Sequence, residues 1–112
     1  MKVRRQRSPA IAIALVFFTR PGNAQSLDSM TLANELGTLL ASEEICGLTF
    51  KQDAIQAFIE KKVRANDLSF PPTLNVMTTG AEAQIKDMST SARTAHCAQI
   101  RRLAVSYGFV GK

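Results

Sequence analysis

The chain has 112 residues, with 14 basic and 9 acidic side chains and a formal charge of +5. Lys2, Arg4, Arg5, Arg7 and Arg20 fall in the first 24 positions, which hold no acid, so the following 88 residues carry nine charges of each sign. The basic excess is local to the N-terminus, which excludes reading it as a nucleic-acid footprint or as a field steering toward polyanions and anionic membranes.

Residues 1–24 have the order of a secretory signal peptide. A basic start is followed by the uncharged run Ala10–Phe18, and then by Pro21-Gly22-Asn23-Ala24, with small residues three and one before an expected cut between Ala24 and Gln25. The apolar run is nine residues long. A spanning helix needs about 20, so no stable membrane span is expected in the mature form. Residues 25–112 are expected to form one helical domain, near the lower size limit at which a core stabilises itself unaided.

Asp28 or Ser29 can cap a first helix running to about Ile45, with Met30, Ala33, Leu36, Leu39, Leu40 and Ala41 on its apolar face. Gly37 lies inside that helix and reads more readily as tolerated than as a point of close packing. Gly47 suits a left-handed helix stop. Thr49 and Gln52 fit a capping box for a second helix to about Arg64, whose buried stripe is Ala54, Ile55, Phe58, Ile59 and Val63. Lys61, Lys62 and Arg64 fall in its last turn and complement its dipole.

Ala65-Asn66-Asp67 is a turn, and Pro71-Pro72 a stiff corner leading into a third helix with Leu74, Met77, Ala81, Ile85 and Met88 on one face. A bend near Gly80 is compatible with the sequence, since Thr79 and Glu82 form a second capping-box pattern. The apolar spacing continues through Ser89-Thr90-Ser91 to Ala92, Ala95, then Gln99 or Ile100, Leu103 and Tyr107. An unbroken helix from Pro72 to Tyr107 would be about 54 Å long. A break at Ser89–Ser91 is favoured over it. Gly108 ends the last helix, and residues 109–112 read as a short tail. The fold class is therefore all-α, a small three- to four-helix bundle.

The only two cysteines are Cys46 and Cys97. In an exported chain they fit one disulfide, closing a loop of about 50 residues and stabilising by roughly 4 kcal/mol in the chain-entropy model. His96 is the sole histidine and adjoins Cys97. Adjacent helical positions diverge by about 100°, and a bridged cysteine offers no thiolate, so the pair does not read as nucleophile and base. No metal-ligand set, CxxC motif or glycine-rich phosphate loop is present. Arg93, His96, Arg101 and Arg102 are the candidate partner-binding residues; ion pairs to Glu43, Glu44 or Asp87 explain the arginines at least as well. Glu43-Glu44 itself reads as a solvated face.

Two stretches, Glu44–Phe50 and Thr94–Arg102, resemble a group of short exported proteins from Rhizobiales-type alphaproteobacteria. Some members carry the label signal recognition particle. The chain has neither the GTPase phosphate loop nor the methionine-rich binding domain that such a label implies. In plan, with Cys46 and Cys97 as the matching positions, it is also similar to periplasmic acid-stress chaperones of the HdeA type. That resemblance implies a small helical protein with one disulfide that exposes apolar surface on acidification.

The function expected from these readings is that of a periplasmic, non-catalytic interaction or chaperone-like envelope factor. It would have an unidentified protein partner, no cofactor and no nucleic acid, with homodimer formation left open. The alternative is a fully secreted effector, or a small enzyme or enzyme inhibitor built on Arg93, His96 and Arg101.

Overall fold

A computed structural model describes residues 21–111, with side-chain environments from residue 28 onward. The basic start and apolar run of the expected signal peptide lie outside the described residues. Four α-helices follow one another: α1 (Pro21–Ile45), α2 (Gln52–Lys62), α3 (Phe70–Lys86) and α4 (Thr90–Ser106). The described chain is all-α.

Helix α1 begins upstream of the expected cap and of the expected cut at Ala24–Gln25, so Asp28 and Ser29 lie within it. Ser29 does not cap, because its hydroxyl is committed to donating to Asp67 Oδ2 at 2.7 Å. Further along, Gly37 faces Met77 and Thr78 of α3. The contacts advance in the same direction along both elements, so α1 and α3 run parallel, with α2 returning the chain between them.

Gly37 is the point of closest approach, contrary to the expectation of a merely tolerated glycine. A Cβ there would stand 2.9 Å from Met77 Cβ and 3.0 Å from the Thr78 backbone nitrogen. Gly80, by contrast, lies inside an unbroken α3 with open space where its Cβ would be. The bend and second capping box expected there do not form. Thr78 bonds Leu74 O within the helix at 2.8 Å, as befits a helical interior.

Both predicted glycine stops are present. Gly47 has φ 68° and Gly108 φ 77°. At the first, Leu48 N donates to Glu43 O (2.8 Å) and Gly47 N to Glu44 O (3.0 Å). At the second, Phe109 N donates to Ala104 O (2.9 Å) and Gly108 N to Val105 O (3.0 Å). Each pair is a Schellman motif, which satisfies carbonyls that a helix end leaves unpaired.

The two exits then meet, since Lys51 N donates to Phe109 O at 2.8 Å. This bond, with Phe50 N donating to Glu43 Oε2 at 2.8 Å, holds residues 50–51 out of the helix. The expected Thr49–Gln52 capping box is therefore absent. Lys51 is the N-cap and has no side-chain cap bond. Helix α2 also stops two residues earlier than read, because Val63 is extended.

The break near Ser89 is real. Ser89 accepts from Ala92 N at 3.1 Å and caps α4. It also resets the helical phase. Ala92, Ala95 and Leu103, expected in the core, are exposed; Ile100 is buried and Tyr107 packs on the core as expected, and Cys97 and Ala104 join them.

The expected tail is core as well. Phe109 is fully buried and packs among Phe50, Phe58 and Tyr107, with ring centroids 5.5, 5.8 and 5.7 Å away. Tilted and edge-on aromatic contacts of this kind add to simple area burial. Helix α2 has no fully buried residue. The expected stripe of Ala54, Ile55, Phe58, Ile59 and Val63 packs half-buried on the core, with Phe58 set against Tyr107 (4.9 Å) and Phe109. On α1, Ala33, Leu36, Leu39 and Ala41 are buried as expected, but Met30 is 51% exposed.

Gly37→Ala is expected to destabilise by about 1–3 kcal/mol, because overpacking against backbone outweighs the gain in helix propensity. Gly80→Ala, with room for its methyl group, is expected to stabilise by about 0.5–1 kcal/mol. Urea unfolding of the two variants beside the wild type distinguishes these signs. In the same assay Phe109→Ala should cost about 3–5 kcal/mol, the range for truncating a buried aromatic. A true tail would lose nothing.

Candidate functional site

The disulfide is formed between Cys46, just past α1, and Cys97 on α4, with Cα atoms 5.3 Å apart. The two cysteines are 51 residues apart in sequence. Around it the four candidate binding residues separate into two groups.

Arg93, Cys97 and Arg101 follow one another at four-residue steps and share a face of α4. With Ile45, Thr90 and Thr94 they line an open cleft of about 300 Å³ over the disulfide. His96 and Arg102 do not line it. Arg102 donates to Gln99 Oε1 at 2.8 Å on the exposed side of α4.

His96 turns toward α1, with Nε2 2.8 Å from Ser42 Oγ. Ser42 is fully buried, and its single hydroxyl proton goes to Thr38 O at 2.7 Å. With its proton on Thr38 O, Ser42 Oγ is left as an acceptor facing His96 Nε2. The half-buried imidazole is a structural strut between α1 and α4. Ser42 was not singled out in the sequence, because a lone serine inside an apolar stripe carries no local signal.

The ion pairs expected for the arginines are replaced by helix-end contacts. Arg93 NH2 donates to Lys86 O, the last carbonyl of α3, at 3.2 Å. Arg101 NH2 donates to Cys46 O, just past α1, at 3.3 Å. A cation at a helix C-terminus complements both the orphan carbonyls and the dipole. Glu43, read as solvated, instead accepts the Phe50 amide. Arg93 Nε is buried and has no hydrogen-bond partner. Thr90 and Thr94, four residues apart on the same face of α4, join the arginines in the cleft lining.

A second depression lies at the opposite end of the α1–α3 pair. It is an open groove of about 850 Å³. Met30, Leu32 and Val63 supply its apolar surface, and Lys62, Arg64 and Asp67 are among its charged lining. Asp67 ties the groove together, since Oδ2 accepts from Ser29 on α1 and Oδ1 from Ser69 at 2.8 Å. The Ser29 hydroxyl, followed by that of Ser69, holds the Asp67 carboxyl below the ordinary carboxylate value, against a smaller opposing effect of burial. Leu68, between two lining residues, is 81% exposed.

Among the described residues no group of three or more His, Cys, Asp or Glu is placed to hold a metal ion, and no helix is long and apolar enough to cross a membrane. No protein-family model, curated protein or solved structure matches the chain.

The Asp67 contacts set a pH window. A folded-state pKa below the unfolded one gives stability that is present above the ordinary carboxylate value of about 3.9 and is lost as pH falls through the lowered value. Thermal melts should therefore fall more steeply with acidification below about pH 4 in the wild type than in Asp67→Asn. Identical slopes would show that the carboxylate does not hold this corner.

Proposed function

We propose that the chain is exported, is cut between Ala24 and Gln25, and works in the periplasm as a non-catalytic, chaperone-like interaction factor. The observation that carries this reading is the groove between the start of the described α1 side chains, the end of α2 and the α2–α3 corner. Its apolar surface stays open, and Met30 and Leu68 stand exposed beside it. Exposed apolar surface rimmed by polar residues marks interaction sites.

The occupant that fits is a protein segment presenting one apolar side chain flanked by charges of both signs. Met30, Leu32 and Val63 meet the apolar group; Lys62 and Arg64 meet acids, and Asp28 a base. Full secretion as an effector keeps the same surface. The small-enzyme or inhibitor alternative draws less support, because His96 is held by Ser42 away from the cleft of Arg93 and Arg101.

Intact mass from a periplasmic extract should give a species that starts at Gln25 and takes up two thiol labels only after reduction. A photo-crosslinking residue at Leu68 in that species should give discrete protein adducts, reduced by Met30→Asp and absent from the same probe at Glu82. Full-length protein with free thiols would remove the compartment. Equal background at both probe positions would remove the groove.

A further inference from the structure

The cleft over the disulfide carries more positive charge than its structural duties use. A guanidinium has five N–H donors. One bond from Arg93 goes to the end of α3, and one from Arg101 to the residue just past α1. The buried Nε of Arg93 has no partner. No carboxylate lines the cleft. The nearby Glu43 is already committed to the Phe50 amide, and Glu44 and Asp87 are exposed.

Arg93 and Arg101 stand about 12 Å apart along the axis of α4. Helical side chains lean toward the N-terminus, which brings Arg101 over Cys97 to reach Cys46 O and Arg93 to Lys86 O, and both line the one cleft. The first turn of α4, with Thr90 in the lining, adds the positive end of a helix dipole. The opposing field comes from the carbonyl ends of α1 and α3, each a partial charge against a full one. The volume of about 300 Å³ suits a small group rather than a folded surface.

We propose that this cleft binds a small oxyanion, a carboxylate or phosphate group, between Arg93 and Arg101. Planar N–H forks match such oxygens in geometry and charge. The site is separate from the groove of the preceding section and does not rest on that reading. The Cys46–Cys97 disulfide forms part of its wall.

The test is an amide-resolved NMR titration of the oxidised full-length chain at constant ionic strength. Inorganic phosphate and succinate are the two probes, and chloride is the control. Saturable shifts confined to Thr90, Arg93, Thr94, Cys97 and Arg101 are expected. Arg101→Gln should weaken binding about tenfold or more, and Arg101→Lys, which keeps charge but loses the fork, by an intermediate factor. Arg102→Gln removes the same charge outside the cleft and should leave binding unchanged. Arg93→Gln is read the same way where its spectrum stays folded, and Arg101→Gln carries the test where it does not.

Saturation by phosphate alone assigns a phosphate group as ligand. Saturation by succinate alone assigns a carboxylate such as an acidic side chain. Saturation by both supports the shared chemistry. No saturable shift, equal response to chloride, or equal losses in Arg101→Gln and Arg102→Gln would overturn the proposal.

Discussion

Lys51 N donates to Phe109 O, and around that one bond the fold closes. It joins the exit of α1 to the exit of α4, and the Cys46–Cys97 bond ties the same two elements covalently. Each exit is shaped by a glycine in the left-handed region, so each strand of chain leaves its helix at a defined angle. Phe50 and Phe109 follow directly from those exits and stack against each other. Helix α2, with no fully buried residue of its own, docks by lending Phe58 to that cluster. A domain of this size cannot build a deep core. It concentrates its cross-links at one end instead, where a disulfide across 51 residues removes the most freedom from the unfolded chain.

Features encoded within a few residues were legible in the sequence. The helices, the stops at Gly47 and Gly108 and the break at Ser89 each have a local cause; Pro71-Pro72, read as a corner, lie instead in the first turn of α3, which starts at Phe70. Features that depend on how helices meet were not. Gly37 could be seen as a glycine in a helix, but only its neighbour Met77 makes it a close approach. Reading one apolar period across Ser89 placed Ile100 and Tyr107 correctly but misplaced Ala92, Ala95 and Leu103, because a cap restarts the helix at a new angle. Phe109 looked like tail, since four residues after a glycine stop have no period to read.

The candidate site was legible by residue type and not by grouping. Arg93, His96, Arg101 and Arg102 cluster in sequence, and helix geometry divides them. The four-residue steps keep Arg93 and Arg101 together with Cys97, while the neighbouring positions rotate away. The expected ion pairs failed for a further reason. Charged side chains near helix ends find backbone groups that no other partner satisfies, and three of them, Glu43, Arg93 and Arg101, do so here. An exposed ion pair contributes about 0–1 kcal/mol, so an unpaired backbone group in a partly buried place is the stronger competitor.

The two ends of the molecule are held by different forces, and this separates their responses. At the disulfide end, a covalent bond, two Schellman motifs and four aromatic rings act together. At the groove end, α1 meets the α2–α3 corner through Ser29 and Asp67, with Met30 and Leu68 left exposed. Local opening is cheapest where buried apolar contacts are few and the hydrogen bonds face water. At the groove end the Ser29–Asp67 contact is the polar link, and Asp67 makes acid the stress that weakens it. Reduction acts at the other end, where it removes the loop constraint beside the arginine cleft. Acid and reductant thus address separate surfaces of one small bundle, joined by the α1–α3 contact at Gly37.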